Sequence, residues 1–420
     1  FLDREWFVGI EFPVSRNEIG EREVIFGHLP GIAVPPDRPW TSCKLVYGCD
    51  DGSGIEASFV SYIREHQIRK GTEPLAVYCD WGLHDELSDR IELTEQMTVG
   101  MLQHLQWMRD THGIRFDYYL IDAFWFEEND PYLAFKSANW PSGFEAVRER
   151  IRSLGMKLGL WFDLSGQFLK MERMTEARIV PEQHALCLGH PSYLSALKHA
   201  ILHHIRVNGL KMIKFDFAVF NCSNPEHDHL PDELSKEYLI AGLADILQEA
   251  RAEEPELIVL AYNGFTTDFD WIRDVDPARV GSAVSPWWAL HVDYIYCGDP
   301  RPSEVPTPKL RDSIHYYTDA MIRQFHESLV PSETVDDHGV MIGTTGTIYR
   351  LGKEGWRNDW ILGLSRGTRK IHFYGDLALL DASDYEFLKQ TWTLIDRFGA
   401  PGFRCGPAAG NPLREEADGY

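Results

Sequence analysis

Basic residues are in short supply in this chain: 41 Lys and Arg stand against 64 Asp and Glu, a formal net charge of −23. Binding nucleic acid requires clustered cations to neutralise phosphates. No such patch occurs, which excludes nucleic acid as a partner. No uninterrupted apolar run of about 18 residues occurs either, so no membrane span is expected. Metal-type cysteine punctuation is missing as well. The seven Cys (Cys43, Cys49, Cys79, Cys187, Cys222, Cys297 and Cys405) are scattered, with no CxxC and no zinc-like spacing. An odd, dispersed set favours reduced thiols over a disulfide framework, and so a cytoplasmic over a secreted location. The chain begins with Phe rather than Met and shows no signal peptide, and it reads as starting inside a longer protein.

What is present is a large apolar fraction, 44% of 420 residues, with 12% aromatic residues and 13 Trp. That length suits one barrel of about 250 residues or more with partial flanking elements. Flat rings suit stacking on the C–H face of a pyranose, although large cores use Trp as well. The negative charge fits a soluble protein acting on a neutral substrate.

Residues 1–72 read as short extended pieces broken by Gly and Pro (WFVGIEF, EVIFGHLPGIAV, CKLVYGCD), the tail of an N-terminal β-sandwich-like domain. From residue 73 to about 400, short apolar runs alternate with helical patterns, which argues for β/α units. Eight strands are predicted, at 75–82, 118–126, 156–163, 211–217, 257–264, 292–299, 339–347 and 370–380. Between them, Met97, Met101, Leu105 and Met108 share one helical face, as do Phe144, Val147, Ile151 and Leu154, and Leu194, Leu197, Ile201 and Ile205. Eight strands with intervening helices predict an α/β fold, a closed (β/α)8 TIM barrel. Residues 401–420, rich in Gly, Pro and Ala, read as the lead-in to a missing C-terminal β domain.

A (β/α)8 barrel carries its active site at the C-terminal ends of its strands. Here those ends hold Asp80 and Trp81, Asp122 and Trp125, Trp161 and Asp163, Lys214 and Asp216, Asn263, and Asp299. Carboxylates gathered at one end are costly unless they bind something or do chemistry, though any one could cap a helix or pair with an Arg. In IKFDF, alternation points Lys214 and Asp216 the same way, into the barrel mouth. A neighbouring ammonium lowers a carboxylate pKa and keeps it ionised, as a nucleophile requires; a structural ion pair is the plainer reading. A second carboxyl must protonate the leaving oxygen and then activate water. Asp299, aimed by the Gly298–Pro300 turn, is the leading candidate, ahead of Asp293, Asp274 and Asp276.

These segments resemble clan D glycoside hydrolases, family 36 above all, with family 27 a more distant relative; their members are mainly α-galactosidases and α-N-acetylgalactosaminidases. LGMKLGLWFD at 154–163 is similar to the family's third strand, IKFDF at 213–217 to its nucleophile strand, and LIDAFW at 120–125 to its second strand. HFYGDLALLDASDYEFLK at 372–389 resembles the end of the family barrel, and EWFVGIEFP at 5–13 the strand closing its N-terminal domain. The resemblance implies a retaining, double-displacement glycoside hydrolase acting on α-linked galactosides or a related sugar. Asp216 matches the nucleophile and Asp299 the acid/base. Lys214 and Asp122 match residues that contact the sugar, and Trp81 matches a wall of the sugar subsite. Trp125, Trp161, Asp80, Asp163 and Asn263 complete the substrate-binding set. No metal or organic cofactor is implied. The expected partner is a carbohydrate substrate, and a homo-oligomer would be in keeping with the family.

The sequence departs from the family pattern where sugar is recognised. A tandem aspartate is broken, with Ala at position 123, and the polar or Cys residue after the nucleophile strand is replaced in Asp216–Ala218. This points to altered sugar specificity. A sugar-binding barrel without turnover, or a transglycosylase, are the alternatives. Weaker signals read as structural. His199, His203 and His204 share a helix without an intervening Glu and are assigned to packing. His227, Asp228 and His229 are assigned to a solvated loop. The Asn221–Ser223 sequon, just past the strand of Asp216, is expected to stay unmodified, and the GTTG at 343–346, with no phosphate-loop Lys, reads as a tight strand end.

Overall fold

The computed structural model describes residues 2, 5–37, 39–69, 74–84, 92–170, 172–180, 184–265, 284–296, 325, 328–336, 339–343, 353, 355–365 and 370–395. Its centre is a parallel sheet in which the eight predicted strands all appear. They are β5 (Leu75–Cys79), β6 (Tyr118–Ile121), β7 (Lys157–Asp163), β8 (Leu210–Asp216), β9 (Ile258–Ala261), β10 (Tyr294–Tyr296), β12 (Val340–Ile342) and β13 (Lys370–Gly375). A ninth short piece, β11 (Val335–Asp336), pairs with β10. The spatial order is β11-β10-β9-β8-β7-β6-β5-β13-β12.

The two edges of that ribbon, β11 and β12, are consecutive in the chain. Asp336 and Val340 are four peptide steps apart, which is at most about 15 Å, so the sheet curls back on itself. An ion pair spans the junction: Lys370 Nζ on β13 lies 2.6 Å from Asp336 Oδ1 on β11. The architecture is an α/β TIM barrel whose seventh position is shared by two short strands.

Side-chain alternation then sorts the core into two layers. Val77, Cys79, Tyr118, Leu120, Met212, Leu260, Tyr294 and Met341 fill the barrel interior. The opposite parity packs under the helices. The three apolar stripes read from the sequence fall on α2 (Glu95–His112), α3 (Glu145–Ser153) and α4 (Pro191–His203). Of α2, Met101, Leu105 and Met108 are buried; of α4, Leu197 and Ile201. Helices α5 (Lys236–Glu253), α6 (Trp356–Ser365) and α7 (Ala382–Trp392) follow β8, β12 and β13. No helix among the described residues is long and apolar enough to cross a membrane.

Ahead of the barrel, β1 (Trp6–Ile10) pairs antiparallel with β4 (Leu45–Cys49), and β2 (Arg16–Ile19) with β3 (Val24–Gly27). The expectation of extended pieces throughout 1–72 needs correction at its end. Residues Ile55–His66 form helix α1, because Phe59 and Ile63, one turn apart, pack on Phe7, Val46 and Trp287.

Helix α4 ends in a π turn, His204–Asn208, that buries His204. Its Nε2 donates to Tyr132 O (2.8 Å) and its Nδ1 accepts from Asn208 Nδ2 (2.7 Å), so this histidine packs helix against loop. Burial pushes its pKa down from 6.5 to about 4. Between those values the unfolded chain binds a proton that the folded chain does not, so this site loses stability as pH falls through that window. Asp163 and Glu237, each pushed up to about 7 by burial, work in the opposite direction. The His204 contribution is therefore read as a difference. Urea unfolding of wild type and His204→Gln from pH 7 to 4 should show the wild type losing up to about 3 kcal/mol more than the variant. Parallel curves would assign the acid sensitivity elsewhere.

Candidate active site

The barrel interior becomes polar at the C-terminal ends of β5 to β9. Asp216 is the last residue of β8, beside Asp163 in the ladder, and is 7% exposed. Three donors hold its carboxylate. Phe217 N and Asn263 Nδ2 reach Oδ1 at 2.9 Å each, and Trp161 Nε1 reaches Oδ2 at 3.2 Å. The first of these bonds needs an unusual backbone: Phe217 has φ of 50°, a left-handed conformation that is uncommon for an aromatic residue. Such strain persists only where the surroundings impose it, and it concentrates at functional sites.

Asn263 is aimed by its neighbour. Gly264 has φ of 96°, and a Cβ there would lie 2.0 Å from Ala218 O. Only glycine lets the loop after β9 lie directly against the loop after β8. Ala218 N donates to Asn263 O at 2.9 Å and fastens the two together.

Lys214 points into the same interior, as alternation predicts, but its partner differs from the expected one. Its Nζ lies 2.8 Å from Asp122 Oδ2 at the end of β6, and both side chains are buried. The ammonium sits 4.3 Å from the centre of the Tyr262 ring, with the Tyr374 and Trp81 rings at 5.9 and 6.0 Å. Burial disfavours this cation, but the neighbouring anionic groups, Asp122 first among them and Asp216 with it, together with the Asp122 hydrogen bond, outweigh it and raise the Lys214 pKa. Lys214 does pull the Asp216 pKa down, as expected, but it does not set the net direction. Burial raises the Asp216 pKa, and the more distant Lys214 charge and the hydrogen bonds from Trp161 and Phe217 N offset this only in part.

The remaining expected residues separate into two groups. Trp161 joins the site directly through Asp216, and Trp81 lines it beside Lys214. Asp122 is held at both oxygens: Oδ1 accepts from Ala123 N at 2.9 Å, and Oδ2 accepts from Cys79 Sγ at 3.0 Å besides Lys214. Asp80, Asp163 and Trp125 serve the framework. Asp80 Oδ1 accepts from Asp122 N (2.7 Å) and ties β5 to β6. Asp163 is fully buried, with Oδ1 taking Ser165 N and Oγ (2.9 and 2.7 Å) and Oδ2 taking Phe168 N (3.3 Å). Trp125 is fully buried against Phe135, Phe162 and His204, with its indole N–H on Trp161 O, so it presents no face to a ligand.

Asp299, Asp274 and Asp276 lie outside the described residues. Asp293 is excluded as acid/base by position. It precedes β10, at the opposite end of the barrel, where it accepts from Val259 N (2.8 Å) and Arg251 Nη2 (3.1 Å).

Two features of the site escaped the sequence reading. Phe124, Phe168 and Phe217 are half-buried and surround Trp161 at ring separations of 6.5, 6.2 and 6.3 Å. They make an apolar wall beside Asp216, and Phe124 too has a positive φ of 71°. Below the mouth, Tyr262 Oη bonds Tyr374 Oη (2.7 Å), which bonds His372 Nδ1 (2.8 Å). Apolar periodicity hides such residues, because rings that flank a site and rings that fill a core carry the same letters. A further correction concerns the segment after β8: His227 and His229 are 8% and 4% exposed, not solvated.

No protein-family model matches the chain, and no curated protein does. Solved structures do match. A family 36 α-galactosidase of Geobacillus stearothermophilus, AgaB, superposes with a TM-score of 0.64 at 13% identity, covering 94% of this chain and 53% of that one. The galactosidase domain of the α-galactosidase–sucrose kinase AgaSK gives 0.58 at 14% identity, with 84% and 45% covered. The α-galactosidase TtGalA of Thermus thermophilus, in complex with p-nitrophenyl α-D-galactopyranoside, gives 0.53 at 16% identity, with 96% and 75% covered. The chain spans about half the length of the Geobacillus protein. At these identities the likeness is one of fold: the chain has the barrel architecture of these α-galactosidases.

Proposed function

We propose that this chain is the catalytic barrel of a retaining glycoside hydrolase acting on α-linked galactosides or a closely related sugar. The observation that carries the reading is the setting of Asp216. A carboxylate at the C-terminal end of a barrel strand, gripped by three donors and faced by an aromatic wall, supports a nucleophile's role for Asp216. The fold shared with α-galactosidases, one of them bound to an aryl α-galactoside, supports the sugar class.

The chemistry follows from the donor set. Oδ1 takes two hydrogen bonds and Oδ2 one, so Oδ2 is the freer oxygen to attack the anomeric carbon. As the C–O bond to the aglycone breaks, the acid/base carboxyl, assigned to Asp299, gives its proton to the leaving oxygen. The same group then takes a proton from water, which displaces Asp216 and restores the α configuration. A retaining geometry requires the two carboxyl groups to approach to about 5 Å. Asp122 is already bonded at both oxygens and Ala stands at position 123, so recognition of the sugar's far hydroxyls differs from a plain galactoside site.

The test is a panel of aryl α-glycosides (galactoside, N-acetylgalactosaminide and arabinopyranoside) with the first-formed product followed by NMR. At least one should be turned over, with the α anomer appearing first. Asp299→Ala should retain more activity on substrates with good leaving groups, and azide should rescue it. Turnover of none, or a β first product, would overturn the proposal.

A further inference from the structure

The barrel mouth does not account for a second group of polar side chains, in the loops that leave β7 and β8. Cys187 precedes α4, and Cys222, His227 and His229 follow β8. One ligand atom from each lies within 4.8 Å of all the others. Cys187 Sγ is 3.1 Å from His229 Nε2, and Cys222 Sγ is 3.2 Å from His227 Nδ1. All four residues are buried, both cysteines completely.

The outer contacts determine what these atoms offer. His227 Nε2 lies 2.9 Å from Glu176 O, and His229 Nδ1 lies 2.9 Å from Leu230 O. A carbonyl only accepts, so those two nitrogens carry the protons. The other two, His227 Nδ1 and His229 Nε2, then turn lone pairs toward the sulfurs. A second-shell carbonyl that fixes the tautomer in this way is the usual arrangement behind a metal-bound imidazole. Gly189 N also donates to Cys187 Sγ at 3.3 Å.

We infer that Cys187, Cys222, His227 and His229 form a structural Cys2His2 site for a zinc-class divalent cation. In a tetrahedral zinc site, bonds of about 2.3 Å to sulfur and 2.0–2.1 Å to nitrogen put neighbouring ligand atoms roughly 3.3–3.8 Å apart. The two S–N spacings of 3.1 and 3.2 Å fall just short of this range and all the others lie within 4.8 Å, so closing on an ion takes side-chain shifts of no more than about 1 Å. Two thiolates and two neutral imidazoles offset the ion's charge, which a buried site requires. With four protein ligands and no open position, the role is structural. The ion would clamp the segment after β8, which begins with Phe217, to the loop after β7. Those loops already share Ser223 N to Ile179 O (3.2 Å) and Asn224 Nδ2 to Arg178 O (2.9 Å). The spacing Cys187…Cys222…His227…His229 fits no short zinc motif, because the two cysteines come from different β/α loops.

The experiment is metal analysis of the untagged chain, purified reduced and desalted after growth with zinc. It should carry about one zinc per chain, and Cys222→Ser should carry less than about a tenth of that. Replacing zinc by cobalt should give the intense visible absorption of tetrahedral cobalt and thiolate-to-cobalt charge transfer in the near ultraviolet. Should Cys222→Ser fail to fold, His227→Cys supplies the second arm. It keeps four ligands and should retain the metal, with stronger charge transfer. Reduced wild-type protein that binds neither metal, or a Cys187–Cys222 disulfide in protein purified without reductant and unaffected by zinc, would overturn the inference. None of these readouts depends on glycoside hydrolysis.

Discussion

Asp216→Asn is expected to lose turnover of an activated aryl α-glycoside by on the order of 10³-fold or more, because no other group on β8 can form the covalent intermediate. The substitution is nearly isosteric and keeps the positions of Asn263, Trp161 and Phe217 N around the side chain. Loss should therefore fall on kcat, with thermal stability close to wild type. The smaller variant Asp216→Gly admits azide from the nucleophile's side, so its rescued product should be the β-glycosyl azide. Rescue of Asp299→Ala should give the α-glycosyl azide instead. Opposite anomers from the two variants would assign the two roles independently. Activity of Asp216→Asn within tenfold of wild type, measured on the best substrate, would remove Asp216 from the mechanism. The pH profile is a second readout. Burial raises the Asp216 pKa above its ordinary 3.8. Ionised Asp216 is the active form, so kcat/KM should fall on acidification at a higher pH than for an ordinary aspartate.

Lys214→Met is expected to destabilise the fold by roughly 3–5 kcal/mol, the cost of leaving a buried charge without its partner. Asp122 is 1% exposed, and without the ammonium it keeps, among the described residues, only Ala123 N and Cys79 Sγ as donors. Pairing the change with Asp122→Asn removes the stranded charge, so the double variant should recover most of the loss. Urea unfolding of the four proteins in the cycle measures this coupling directly. A single-variant loss below about 1 kcal/mol would mean that the pair is solvated and lies outside the barrel interior. The outcome matters for specificity too. A Lys214–Asp122 pair that locks the interior is less free to take sugar hydroxyls than either residue alone.

Much of the barrel was legible in the residues because parallel strands buried on both faces leave short apolar runs, and the helices between them leave stripes of period 3.6. Strands ending near Asp122, Asp163 and Asp216 followed from that pattern. Helix α1 was not anticipated, although Ile55, Phe59 and Ile63 recur at helical spacing, because it is a single short stripe set among extended pieces broken by Gly and Pro. Among site residues, strand parity brought Lys214 and Asp216 to one interior. Parity could not say that Asp122, from two strands away, would reach the lysine first. Nor could it tell Trp161, whose N–H holds Asp216, from Trp125, whose N–H holds a backbone carbonyl; both are tryptophans at strand ends.

Local order, then, was written in the sequence alone: which segments are strands, which faces are apolar, and that the acidic residues gather at strand ends, because each depends on neighbours a few positions apart. Pairing was decided only by the closed tertiary structure. Two of the donors on Asp216 (Trp161 and Asn263), the partner of Lys214 and the meeting of Cys187 with His229 join residues dozens of positions apart. Curling the sheet shut is what brings such residues within a few ångströms, and no spacing rule along the chain encodes that distance.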